Sequence, residues 1–336
     1  METIWAYEIN ITLFFQQLGN WLINPMEFFT FLGTEYAFLA LMPLFYWSID
    51  AVIGLRIGFM LLFSNGINTP LKFLFHSPRP YWLDPNVIAM SSETSFGMPS
   101  GHAQMAASIW GTLAASLRRW WVTVLLIFII IMIGISRIYL GVHFTSDVIA
   151  GWAVGVILLV IMLVLEKRVV AWFMKKNTEE KLVYSLAISF LLILISLLAK
   201  MAVKNWVMPE EWMTNALAAA PQTTPAPFEL SGIISISGTL FGTLAGLIFY
   251  NKKFGVYDAG GEPWKRILRY LLGMAGMIII WFGLGMILPD GENVLALCLR
   301  YIRYGLTGFW MTGFAPVVFQ VLHLSNKPSS LKKEGV

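Results

Sequence analysis

Residues 120–147 read WWVTVLLIFIIIMIGISRIYLGVHFTSD, and the two ends of this stretch ask for opposite surroundings. From Trp120 to Ser136 there is no charge, and such a run approaches the roughly 20 apolar residues that cross the hydrocarbon core of a bilayer. Directly after it come Arg137, His143 and Asp147. Working outward, comparable apolar runs begin near residues 31, 51, 101, 146, 182, 232, 267 and 301, which with this one predict nine transmembrane helices. Composition agrees: the chain is 57% hydrophobic and 12% charged, against about 25% charged in soluble domains. The expected fold class is therefore an all-α polytopic membrane protein. Its single cysteine, Cys298, excludes an intramolecular disulfide and a cysteine metal cluster, so helix packing must hold the fold.

An odd number of spans puts the termini on opposite sides, and the basic residues orient them. Arg56, Arg118, Arg119, the stretch Lys167 to Lys181, the stretch Lys252 to Arg269 and the tail lysines Lys327, Lys332 and Lys333 fall in one set of loops, expected to be cytoplasmic. Lys72, Arg79, Arg137, Lys200, Lys204, Arg300 and Arg303 fall on the other face. The basic balance thus follows from topology and gives no reason to expect nucleic acid as a partner. The N-terminus shows neither a basic n-region nor a small-residue cleavage site, so the first span should do the targeting. Residues 9–22 mix apolar residues with Asn, Gln and Glu and predict an interfacial helix. The segment 205–230, with Pro209, Pro221, Pro225 and Pro227, is too broken to span and is expected as a loop on the outer face. Residues 1–174 read as a core, and 175–336 as additional helices that do not form an independent domain.

Three polar clusters sit at predicted span ends on that outer face: Lys72 to Pro80, Pro99 to His102, and Ser136 to Asp147. Charges near membrane depth persist where they pair or line a polar cavity. Lys72, Arg79 and Arg137 suit a phosphate, because guanidinium forks match phosphoryl oxygens. Ser100 and Gly101 add donors at the start of a predicted helix, where backbone N–H groups favour anions. His143 and Asp147 are four residues apart, so the carboxylate can hold one ring nitrogen and aim the other as a nucleophile. His102, from a separate cluster, is placed to act as the general acid and base.

These clusters, Lys-x6-Arg-Pro, Pro-Ser-Gly-His and Ser-Arg-x5-His-x3-Asp, resemble without departure the three-part signature of the type-2 phosphatidic acid phosphatase superfamily. The resemblance implies a membrane-bound, metal-independent lipid phosphatase with a helix-bundle core. In it His143 would be the nucleophile, Asp147 its orienting acid, His102 the acid and base, and Lys72, Arg79, Ser100, Gly101 and Arg137 the phosphate ligands. Gly33-Thr34-Glu35, Trp264 to Arg269 and Arg300 to Gly305 look further like the sphingosine-1-phosphate phosphatases, which would make a sphingoid-base phosphate the substrate. Phosphatidate, phosphatidylglycerophosphate and polyprenyl diphosphate share the same phosphate chemistry. No cofactor or metal is expected; the expected partners are an amphiphilic lipid phosphate and membrane lipids. Two other classes stand beside this one: a lipid phosphotransferase, in which an alcohol outcompetes water, and a non-enzymatic lipid transporter.

Plainer readings apply elsewhere. His76 and His323 are expected as hydrogen-bonded interfacial residues, and the tryptophans and tyrosines as an aromatic belt. Arg300 and Arg303, facing the outer leaflet, are candidates to bind lipid headgroups or a second phosphate, but a salt bridge with Asp290 or Glu292 is the plainer expectation. Tyr81 and Trp82, next to the first cluster, are candidates to line a lipid entrance.

Overall fold

The computed structural model describes residues 2–325, so the tail lysines Lys327, Lys332 and Lys333 lie outside the described residues. Its elements are helices. The first group comprises α1 (Glu2–Gln17), a short 3-10 turn (Asn20–Leu22), α2 (Ile23–Phe31), α3 (Glu35–Ser48), α4 (Ala51–Phe75) and α5 (Pro80–Leu83). Next come α6 (Gly101–Met105) and α7 (Gly111–Leu117), joined by a π-helical turn at Ala106–Trp110, then α8 (Trp120–Tyr139), α9 (Thr145–Met174), α10 (Thr178–Ala202) and α11 (Glu210–Ala219). The chain finishes with α12 (Ser231–Phe254), α13 (Pro263–Ile278), α14 (Leu284–Ile287), α15 (Val294–Phe309) and α16 (Ala315–Val321). π-Helical turns at Ile279–Gly283 and Trp310–Phe314 join α13 to α14 and α15 to α16.

Local chemistry sets several boundaries. The Asp50 carboxylate accepts from the N–H groups of Val52 and Ile53 and caps α4. Asn177 and Glu180 exchange reciprocal bonds at the start of α10, a capping box. Pro263 opens α13, where its missing N–H costs nothing.

Six of the described helical segments are long and apolar enough to cross a membrane: Ala51–Leu83, Trp120–Tyr139, Thr145–Met174, Thr178–Ala202, Ser231–Phe254 and Pro263–Ile287. The pair α2 and α3, bent by 47°, makes a seventh if it acts as one span. This is fewer than the nine expected. The run from Gly101 to Leu117 is short, and its π turn is buried in protein. The run from Val294 to Val321 is long enough but carries Arg300, Arg303, two tyrosines and three glycines. Only 17% of the most apolar window of α9 is buried, which leaves the remainder to be covered by lipid.

The chain divides into two compact units, each discontinuous in sequence. The first comprises residues 1–38, 63–163 and 195–229 and contains all three motifs. Within it α8 packs against α1, α2, α6 and α7, and Gly151 and Gly155 on α9 let the backbone of α6 approach closely. The expected interfacial helix is here a packed element: on α1, Gln16 donates to the carbonyl of Ile88 at 2.8 Å, and Glu8 accepts from the N–H and hydroxyl of Ser146. The segment after α10 contributes α11, which packs on α5, and it is tied to the motif loop where Ala226 N–H donates to the Thr94 carbonyl at 3.0 Å.

The second unit comprises residues 39–62, 164–194 and 230–336. Its centre is the pair α12 and α15. Gly238, Gly242 and Gly246 recur every fourth residue on α12, and a Cβ at any of them would strike the backbone or side chains of the run from α15 to α16. Small residues at this spacing bring membrane helices into backbone contact.

Candidate active site

The site grows from two stretches that interrupt the long helices of the first unit: residues 76–100, irregular apart from α5, and residues 140–144. Lys72 ends α4, and Arg79 stands just before α5, held extended ahead of Pro80. Ser100 caps α6, its hydroxyl facing the N–H of Ala103 and its own N–H donating to the Asp147 carbonyl at 2.9 Å. That cap sets Gly101 and His102 in the first helical turn, where N–H groups have no helical acceptor. Arg137 lies in the last turn of α8, His143 in the connecting loop, and Asp147 in the first turn of α9.

Arg79 is fully buried and distributes its donors widely. Nε donates to the Ser95 carbonyl at 2.7 Å, Nη1 to the Val142 carbonyl at 2.8 Å, and Nη2 to the Phe96 carbonyl at 3.1 Å. Nη1 also faces His143 Nε2 at 3.3 Å. Lys72 Nζ donates to the same Phe96 carbonyl. On its other side, His143 Nδ1 lies 3.3 Å from Asp147 Oδ2, which also accepts from the Phe144 N–H at 3.0 Å. Only one neutral tautomer satisfies both contacts of His143: proton on Nδ1 toward the carboxylate, lone pair on Nε2 toward the arginine. Burial first, and then the charges of Arg79, Lys72 and Arg137, hold the His143 pKa well below the usual histidine range, so the ring is neutral.

Arg137 completes the cation set. It donates to the Thr30 hydroxyl at 2.9 Å and pairs with Glu93 at 2.5 Å, while its Nε is buried without a partner. His102 lies within electrostatic reach of Arg137, Glu93, Arg79 and Lys72. The structure thus gathers the three cations, both histidines and Asp147 around one point, with Ser100 and Gly101 at its edge. Asn68 braces that edge, donating to the Pro99 carbonyl at 3.2 Å and to Gln104 at 2.8 Å.

Glu93 was not among the expected site residues. Burial alone would raise its pKa, but Arg137 and then Arg79 hold it down to about 2. A carboxylate in the loop between the first two motifs was the available signal, shared with Asp84. Tyr81 fixes it: the tyrosine hydroxyl donates to the Glu93 carbonyl and accepts from the Glu93 N–H. Tyr81 and Trp82 are buried, not lining an entrance, and Trp82 packs on Phe96. His76 packs on Trp206 and Phe96 and reaches the Leu74 carbonyl at 2.9 Å. Among the described residues no three His, Cys, Asp or Glu side chains converge in a way that would hold a metal.

Residues 53–171 match the PAP2 superfamily, and residues 234–327 match the PAP2 superfamily phosphatase transmembrane extension. Phosphatidylglycerophosphatase B of Bacillus subtilis is 29% identical over 41% of this chain and 72% of its own length. Sphingosine-1-phosphate phosphatase 1 of Rattus norvegicus is 28% identical over 40% of this chain, but over only 33% of its own length. Human glucose-6-phosphatase 2 is 22% identical over 85% of this chain and 86% of its own length. The residues that hold all three motifs thus fall inside the stretch that matches the PAP2 superfamily, and the stretch matching its transmembrane extension follows.

Proposed function

We propose that the chain hydrolyses a lipid phosphate monoester through a phosphohistidine on His143, without a metal. The observation that carries this reading is the position of His143: its Nδ1 faces Asp147, and its Nε2 faces the Arg79 guanidinium, where a phosphoryl group would bind. Lys72, Arg79 and Arg137 neutralise the phosphoryl oxygens, and the first-turn N–H groups at Gly101 and His102 add uncharged donors. Nε2 attacks phosphorus, the ester P–O bond breaks, and His102 protonates the leaving alkoxide. The imidazolium formed on His143 is stabilised by Asp147. His102 then takes a proton from water, whose oxygen attacks phosphorus; the P–N bond breaks and inorganic phosphate leaves.

The substrate is proposed to be an amphiphile whose tail stays in the bilayer. A sphingoid-base phosphate is the narrower proposal, supported by the resemblance at Gly33 to Glu35 and Trp264 to Arg269. One observation favours a second reading: the near full-length alignment is with a glucose-6-phosphatase, so a soluble sugar phosphate belongs in any substrate panel. The site is proposed to open on the non-cytoplasmic face, since the more basic loops lie opposite the motifs. The C-terminus would then be cytoplasmic.

The test is phosphate release by purified protein from sphingosine-1-phosphate, phosphatidate, phosphatidylglycerophosphate, undecaprenyl diphosphate and glucose-6-phosphate, in EDTA, with His143→Ala as control. Release from lipid substrates that vanishes in the variant supports the reading. Release from glucose-6-phosphate alone would move the chain to the second reading, and no release from any would overturn hydrolysis. Product accumulation with an added alcohol identifies phosphotransfer.

A further inference from the structure

Four arginines are buried among the described residues: Arg79, Arg137, Arg269 and Arg303. The first two serve the site. Arg269, in the second unit, donates to the carbonyls of Asp258, Ala259 and Gly260 and to the Tyr257 hydroxyl, so its charge closes the loop before α13. Arg303 differs. It is 8% exposed, no described residue accepts a hydrogen bond from its side chain, and its Nε is buried without a partner. The ring of Tyr304, 5.0 Å away, offers a face but no acceptor.

The acids that might have served Arg303 are committed elsewhere. Asp290 pairs with Arg300 at 2.9 Å. Glu292 accepts from the N–H groups of Leu230 and Ser231 and caps α12. A buried charged group left unpaired is expensive, and its persistence points to a ligand. The surroundings describe that ligand. The guanidinium lies over Gly285, where a Cβ would sit 2.7 Å from Nη1, and the residues flanking that glycine, Phe282, Met286 and Ile287, are exposed and apolar.

We infer that Arg303 binds the phosphodiester headgroup of an anionic membrane phospholipid, whose acyl chains lie along Phe282, Met286 and Ile287. The guanidinium fork matches two phosphate oxygens, and the apolar border selects a lipid over a free anion. The site needs none of the hydrolytic residues, so it stands whether or not the proposed reaction does.

The experiment is native mass spectrometry and thermal unfolding of the full chain in nanodiscs of phosphatidylcholine with or without phosphatidylglycerol, a diester that a monoesterase leaves intact. The wild type is expected to retain one phosphatidylglycerol and to unfold at a higher temperature with it present. Arg303→Leu should weaken that retention roughly fivefold, the effect of one arginine near an anionic surface, and remove the thermal gain. Arg303→Lys, which keeps the charge on a similar stem, should restore part of both. Because leucine replaces an unpaired charge, Arg303→Leu should be no less stable than wild type in phosphatidylcholine alone. Equal retention in wild type and Arg303→Leu would overturn the inference. So would stabilisation by inorganic phosphate in phosphatidylcholine discs with none from phosphatidylglycerol, which would identify a free-anion site.

Discussion

Arg79 and Arg303 are both buried arginines in helical surroundings, yet their environments have little in common. Arg79 stands in an irregular stretch whose open backbone turns three carbonyls toward it, those of Ser95, Phe96 and Val142. Arg303 stands inside a continuous helix, where carbonyls are spent on the helix itself and the near neighbours are an aromatic ring and a glycine. The difference shows how each unit handles charge. The first breaks its helices at residues 76–100 and 140–144 to supply acceptors and hold a dense polar cluster. The second serves Arg269 with loop carbonyls in the same way, but at Arg303 a helix held close to its neighbour by glycines leaves a cation without an acceptor among the described residues.

The strongest challenge to this contrast is His143→Ala. It should reduce turnover by roughly 10⁴-fold or more, as losing a nucleophile does in other covalent enzymes, and abolish the acid-labile phosphoenzyme that an alkaline quench is expected to trap in wild type. Arg303→Leu, assayed alongside, should leave turnover of a saturating substrate within about twofold; a comparable loss would show that the two regions share one function.

Next in size is Glu93→Gln, which leaves Arg137 without its counter-ion and should destabilise the protein by about 3 kcal/mol in urea or thermal unfolding. The pH dependence sharpens it. A carboxylate whose folded pKa is depressed contributes fully above its unfolded value, near 4.5, and the contribution fades as pH falls through about 2. The difference between wild type and Glu93→Gln should therefore be constant from pH 7 to 5 and shrink steadily as pH falls from about 4.5 to about 2.

In the second unit the corresponding test is Gly242→Ala. Its added methyl meets the Gly305 carbonyl, and overpacking of this kind costs about 1–3 kcal/mol. Stability should fall while the KM for substrate stays unchanged. The smallest effect is expected from Asn293→Ala at the start of α15, where the side chain accepts from the Ala296 N–H at 2.9 Å; losing such a cap costs about 1 kcal/mol.

Much of the site was legible because its chemistry is carried by residue types that are costly in an apolar chain. Lys72, Arg79, Arg137, His102, His143 and Asp147 stand out against a sequence with few charges, and their spacing repeats a known signature. Glu93 stayed hidden because its role depends on a loop folding back to Arg137, a contact across 44 positions that local pattern does not encode. Tyr81 and Trp82 were misread for a related reason: aromatic residues beside a membrane motif suit an interface or a core equally, and packing alone decides between them. Nine spans are not confirmed: at 101–117 and 294–321 helices are present, but the first is short and the second carries polar residues.

The sequence by itself determined that this chain is helical, that it belongs in a bilayer, and which residue types can hold a phosphate, since hydrophobic runs and isolated charges are local properties. Tertiary structure decided which cations share one point, that α1 and the segment 195–229 fold with the motifs, that Arg300 has a carboxylate, and that Arg303 has none. Those outcomes depend on which groups meet across large separations in sequence. Only closed packing reveals where an acceptor has already been spent.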